Sequence, residues 1–162
     1  MRTLDDLLDW HAVHDLSLRY AEAIDQRNWP ALQAVFAEHV VVDFSSFTHT
    51  PAPSGPLPAT EWVATVSGTI DGFTTTQHII GNHRITVDGE VASYRAYVQA
   101  QHWMDTHRFY LIGGWYENVA HRVEGEWRLY EVTMHQTWDA GDRSLLREAA
   151  RAVAERSGAA SA

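Results

Sequence analysis

The chain has 162 residues, 45% of them hydrophobic and 20% charged, the size and balance of one compact domain. Its 7 Trp, 6 Tyr and 5 Phe supply a core that a disordered chain lacks, and no run approaches the roughly 20 apolar residues of a membrane span. A net charge of -9 argues against nucleic acid as a partner, zero Cys excludes thiolate chemistry, and the basic residues are all Arg, which excludes a Schiff base on lysine.

In chain order, the N-terminus opens on acids at Asp5 and Asp6 rather than on the basic and apolar segments of a signal peptide. That predicts a soluble, cytoplasmic protein with no membrane contact. Asp5 to Gln26 reads as a long helix with apolar residues at Leu4, Leu7, Leu8, Trp10, Val13, Leu16, Leu18, Tyr20, Ala21 and Ile24, capped by Thr3 with Asp6. Pro30 suits the first turn of a short second helix, Ala31 to Ala37. His39 to Phe47 is a β-branched and aromatic strand. Thr48 to Pro58 holds four of the five prolines and reads as a loop, a candidate lid over a cavity. Ala59 to Ile70 is helical.

Four strands follow: Thr74 to Val87, Val91 to Met104, Arg108 to Val123 and Glu126 to Trp138. Asp88-Gly89 is a strong hairpin turn between the first two. Asp142 to Arg156 is an amphipathic helix. Residues 1–157 are expected to form the single domain, with 158–162 a frayed tail. Helices, a strand, a helix and then a long antiparallel meander define an α+β fold with helices on one face of a curved sheet.

Ten histidines stand out. His78 and His83 are five apart in one strand, so an unbroken strand would turn them to opposite faces. His11 and His14, beside Asp15, read as a solvated helix face. Asp25 ends the first helix, where an acid opposes the helix dipole unless a partner compensates. It is either an exposed turn acid or the partner of a histidine. Gly113-Gly114 lacks the other glycines and the helix of a phosphate loop, and marks a bulge or bend in a strand. His102, His107, His121 and His135 lie in or beside the last strands. His102 and His135 sit among apolar neighbours, as pocket donors or as packed or edge residues.

Three pieces resemble the SnoaL-like group of the nuclear transport factor 2-like superfamily, over about Leu4 to Asp142. They are Arg19-Tyr20-Ala21-Glu22-Ala23-Ile24-Asp25 with Asn28-Trp29, Thr76-Gln77-His78-Ile79-Ile80-Gly81-Asn82, and Gly125-Glu126-Trp127-Arg128-Leu129 leading to Trp138. The second piece is similar to that of scytalone dehydratase. Hexachlorocyclohexane dehydrochlorinase and bile-acid 7α-dehydratase share the pattern. The resemblance implies a cone-shaped sheet around a pocket plugged by helices, an α+β barrel. It implies an Asp25–His78 pair as catalytic acid–base machinery, with Tyr20 as an assisting donor. It departs from scytalone dehydratase at Gly114 and Tyr116, which puts the same substrate in doubt.

The expected chemistry is cofactor-free and metal-free: a dehydratase-like lyase taking a carbon-bound proton from a small, cyclic, apolar metabolite. Tyr116, His102, His135, Phe44, Phe47, Trp62 and Trp115 are the candidate substrate-binding residues. An isomerase or aldol-type cyclase using the same pair, or a non-catalytic binding or subunit module, are the alternatives. The resemblance also implies self-association, as a homodimer or homotrimer.

Overall fold

The computed structural model describes residues 3–159. Helix α1 (Leu4–Asp25) leads to α2 (Trp29–Val35), strand β1 (Phe36–Asp43) and a single helical turn, α3 (Ser45–Thr48). A two-residue strand β2 (Leu57–Pro58) and helix α4 (Ala59–Ile70) precede the meander. Its strands are β3 (Thr75–Asp88), β4 (Val91–Trp103), β5 (Phe109–Val123) and β6 (Glu126–Gly141), and α5 (Leu145–Ala159) closes the described chain. Helix α5 thus takes in Gly158 and Ala159 of the segment expected to fray, and 160–162 lie outside the described residues.

The six strands form one curved sheet in the order β2-β1-β6-β5-β4-β3. The meander is antiparallel as expected, but β1 joins β6 in parallel, so the sheet is mixed at that side. It does not close, since β2 and β3 remain as edges. The expected strand through Phe47 stops at Asp43, whose carboxylate accepts the Ser45 amide and turns the chain into α3. Among the described residues no helix is long and apolar enough to cross a membrane.

Alternation places even-numbered residues of β4 inside, from Ala92 through Tyr94, Ala96, Val98 and Ala100 to His102. Tyr110, Ile112, Tyr116 and Ala120 of β5 follow the same parity. Helix α1 lies across this inner face with Val13, Leu16, Ser17, Tyr20, Ala21 and Ile24 buried. Thr3 and Asp6 make the expected reciprocal cap. The apolar stripe is shorter than read, because Leu4, Leu7, Leu8 and Leu18 are exposed. The sheet does not reach under the first turns of α1.

Breaks in strand register shape the inner face, two of them beside residues singled out from sequence. Between Gly81 and Arg84 one extra residue enters β3, with Asn82 at φ 54°. The bulge resets the alternation, so His83 turns inward like His78, contrary to the opposite faces expected of an unbroken strand. At Gly113-Gly114 the register against β6 also shifts. A Cβ on Gly113 would meet the Trp138 indole, and one on Gly114 would meet the His135 carbonyl oxygen. Backbone cannot yield as a flexible side chain can. Gly114→Ala is therefore expected to destabilise the fold by about 3 kcal/mol. The urea midpoint reads this, and an unchanged midpoint would mean that the two strands part freely there.

Candidate active site

The C-terminus of α1 is a Schellman motif. Asn28 N donates to Ala23 O at 2.9 Å and Arg27 N to Ile24 O at 3.1 Å, with Arg27 left-handed at φ 54°. The Arg27 guanidinium then donates to Phe73 O at 2.7 Å, just before β3. The end of α1 is thus pinned to the start of the strand that carries Thr76 and His78. This sets Asp25 against that strand.

His78 Nδ1 lies 2.7 Å from Asp25 Oδ1, and the His78 amide donates to Asp25 Oδ2 at 2.6 Å. Thr76 Oγ1 donates to Asp25 Oδ1 at 2.9 Å. Burial pushes the Asp25 carboxyl up, but the His78 bonds and the Thr76 bond together outweigh it and hold it below the ordinary carboxylate range. An ionised carboxylate only accepts, so the neutral His78 ring carries its proton on Nδ1 and leaves Nε2 as a base. Asp25 is therefore a histidine's partner and not an exposed turn acid.

A cavity of about 220 Å³ opens beside this pair. Tyr20 and Ile24 of α1 line it, with Phe44, Phe47 and Thr48 around α3, Trp62, Thr65, Val66, Thr69 and Ile70 of α4, His78, His102 and Tyr116 of the sheet, and Leu146 of α5. None of these lining residues is Arg, Asp or Glu. The proline-rich segment contributes Thr48 alone, so the wall expected from that loop is built by α3 and α4 instead.

His102 is 4% exposed, and its ring meets His78 edge-on at 5.7 Å. Its Nδ1 is 3.2 Å from the Tyr110 carbonyl oxygen, which can only accept, so Nδ1 carries the proton and Nε2 is an acceptor. Burial, then the His78 charge, pushes this imidazole down to about 4. It is neutral near pH 7 and cannot act as the acid donor weighed for it from sequence. Tyr20 and Tyr116 meet edge-to-face at 6.0 Å. Burial, with Tyr116 beside it, raises the Tyr20 hydroxyl well above its ordinary value, and burial raises Tyr116 to about 12. Both hydroxyls stay protonated.

Seven of the sequence candidates line one cavity and an eighth, Asp25, sits behind His78. Trp115 and His135 do not join them. Odd parity in β5 turns Trp115 to the outer face, where Arg95 lies 4.4 Å over its ring and His135 stacks at 5.0 Å. His135 is paired there with Glu117 at 3.1 Å. Two other histidines, His83 and His14, pack against one another beneath α1. His83 Nε2 is 2.6 Å from Ser17 Oγ, whose own proton goes to His14 O at 2.8 Å, and His14 packs edge-on to His83 at 4.4 Å. His14 is thus a packing residue, not part of the solvated face expected. Thr76 was missed from sequence, although its offset of two from His78 in a strand places both side chains on one face. Apart from Trp62, the α4 and α5 walls carried no signal beyond helical periodicity.

A curved, open sheet wrapped on a cavity and plugged by α1 is the architecture of the nuclear transport factor 2-like proteins. Residues 5–133 match the SnoaL-like domain, and the chain belongs to that family. The uncharacterized protein Rv2910c of Mycobacterium tuberculosis is 26% identical over 132 residues, covering 80% of this chain and 86% of the relative. The Kfla4162 protein from Kribbella flavida superposes with a TM-score of 0.80 at 27% identity, covering 86% of this chain and 97% of that one. Hexachlorocyclohexane dehydrochlorinase LinA-type3 from Novosphingobium barchaimii shares the fold at a TM-score of 0.71 and 16% identity, covering 86% of this chain and 94% of that one.

Proposed function

We propose that this protein is a cofactor-independent acid–base enzyme of the dehydratase type, acting on a small, uncharged, cyclic metabolite. The observation that carries this reading is the 2.7 Å contact between His78 Nδ1 and Asp25 Oδ1 at the wall of an uncharged cavity. Such a contact fixes the tautomer and stabilises the imidazolium that forms on protonation. A cavity of about 150 Å³ holds benzene, so about 220 Å³ accommodates one substituted ring or a small fused pair. An anionic substrate would meet no compensating cation among the residues that line it.

In this mechanism His78 Nε2 removes a proton from the carbon beside a carbonyl, and the C–H electron pair moves into an enolate. Tyr116 and Tyr20 donate hydrogen bonds toward the enolate oxygen without losing their protons. The enolate re-forms the carbonyl and expels hydroxide from the neighbouring carbon. The proton held on His78 goes to that hydroxide, so one water leaves and His78 is regenerated. His102 Nε2 accepts from the substrate hydroxyl and orients the leaving group. The likeness to a candidate scytalone dehydratase from Novosphingobium aromaticivorans, with a TM-score of 0.72 at 22% identity, and to LinA supports elimination over isomerisation or cyclisation.

The test is NMR in D₂O with cyclohexanone and its β-hydroxy derivative. Wild type is expected to place deuterium beside the carbonyl and to release water from the hydroxy ketone. His78→Ala is expected to do neither, at least 10²-fold down. Equal deuterium uptake in both proteins would remove His78 as the base. Uptake without loss of water would move the reading to isomerase or cyclase chemistry.

A further inference from the structure

The Asp25 carboxylate is held by three donors, and two of them come from His78 itself, the ring Nδ1–H and the backbone N–H. The third, the Thr76 hydroxyl, is the only one supplied by another of the described residues. It shares Oδ1 with the imidazole, at 2.9 Å against 2.7 Å. Thr76 is 6% exposed and stands opposite His102 across the β3–β4 ladder, so little room is left for it to turn away. Asp25 needs such a partner, because it sits at the negative end of α1 and half out of water, and both disfavour its charge.

We propose that Thr76 is a positioning residue that clamps Asp25 and sets the strength of its hydrogen bond with His78 Nδ1. The inference rests on the acid–base reading of this site. The physical basis is the sharing of Oδ1. A carboxylate oxygen that accepts two hydrogen bonds gives less electron density to each than one that accepts a single bond. With Thr76 in place, Asp25 stays ionised and keeps Oδ1 turned to Nδ1 in both protonation states of the ring. It does so without binding the imidazolium so tightly that the ring cannot release its proton. Without the hydroxyl, Oδ1 binds Nδ1–H more strongly, and the imidazolium is stabilised beyond what proton return to a leaving hydroxide tolerates. The other ionisable groups facing His78 are His102 on β4, Tyr20 on α1 and Tyr116 on β5, and none of them touches Asp25 in the way Thr76 does.

Thr76→Val replaces the hydroxyl by a methyl of the same shape, and Thr76→Ser keeps the hydroxyl. Proton NMR of the wild type in water is expected to show a strongly downfield Nδ1–H resonance for His78, removed by His78→Ala. In Thr76→Val that resonance is expected to move further downfield. Thr76→Ser restores its position. Should the valine variant fail to fold, Thr76→Ala deletes the same donor without a methyl beside the carboxylate, and the same shift is expected. A downfield proton that is present but unmoved in the hydroxyl-less variants overturns the role of Thr76 and leaves the His78–Asp25 pair standing. A wild type without that resonance overturns both together. Because the readout is a resonance and not turnover, these outcomes are independent of which substrate the protein takes.

Discussion

Asp25→Asn is expected to lower α-proton exchange on a ketone probe by about 10⁴-fold while leaving the fold intact, the scale seen when the orienting acid of a Ser-His-Asp triad becomes its amide. The reason is the tautomer. In the place of Oδ2 the amide oxygen still accepts from the His78 backbone N–H, and in the place of Oδ1 the NH₂ group can donate to Thr76 Oγ1, which preserves the docking of α1 on β3. Its NH₂ group then faces His78 Nδ1 as a donor. The ring must answer with an unprotonated Nδ1, so the proton moves to Nε2 and the base facing the cavity is lost. Kinetics and circular dichroism on the same sample check this. A variant that folds and exchanges at the wild-type rate would show that Asp25 merely ties α1 to the sheet.

The second large effect is on stability in acid. Burial holds both His102 and His83 down to about 4, against an ordinary 6.5. His14 adds to the effect at His83, and His78 at His102. The folded protein therefore refuses protons that the unfolded chain accepts, and stability rises with pH across that window. The contribution is fully present above about pH 6.5 and is lost as pH falls toward about 4. His102 is almost wholly buried, and at about 1.4 kcal/mol per pH unit it alone accounts for roughly 3 kcal/mol. The carboxyl of Asp25 is shifted down as well, so its contribution is lost only as pH falls below the ordinary carboxylate value. Urea midpoints between pH 7 and 4 measure the slope. His102→Asn, which keeps a donor for the Tyr110 carbonyl but cannot titrate, should flatten it. An equal slope in that variant would assign the acid lability elsewhere.

The Asp25–His78 pair was legible in sequence only through its resemblance to known enzymes. Nothing in Ala23-Ile24-Asp25-Gln26 by itself points 53 residues along the chain to a histidine in β3. The cavity wall was legible where a strong local pattern carried it: Phe44, Phe47 and Trp62 are large apolar residues beside a break, and all three line it. Trp115 and His135 were misplaced because a strand of alternating large residues gives no absolute register. Only pairing with neighbours says which parity is inside. His83 was misplaced for a related reason, since one left-handed residue, Asn82, reverses the alternation midway along β3.

The amino-acid sequence by itself determined the long first helix, the four-stranded meander, the caps at Thr3 and Asp6, the Asp88-Gly89 hairpin and the α+β class. These follow from composition, local periodicity and turn chemistry, which act over a few residues. The tertiary structure alone decided the parallel seating of β1 on β6, the inward turn of His83, the outward turn of Trp115 and His135, and the neutral, acceptor state of His102. It also decided the convergence of Thr76, His78 and Asp25. Each of these depends on which backbone lies beside which, and on how far water is excluded there. Hydrogen-bond partners and burial are set between segments distant in the chain, so no local pattern encodes them.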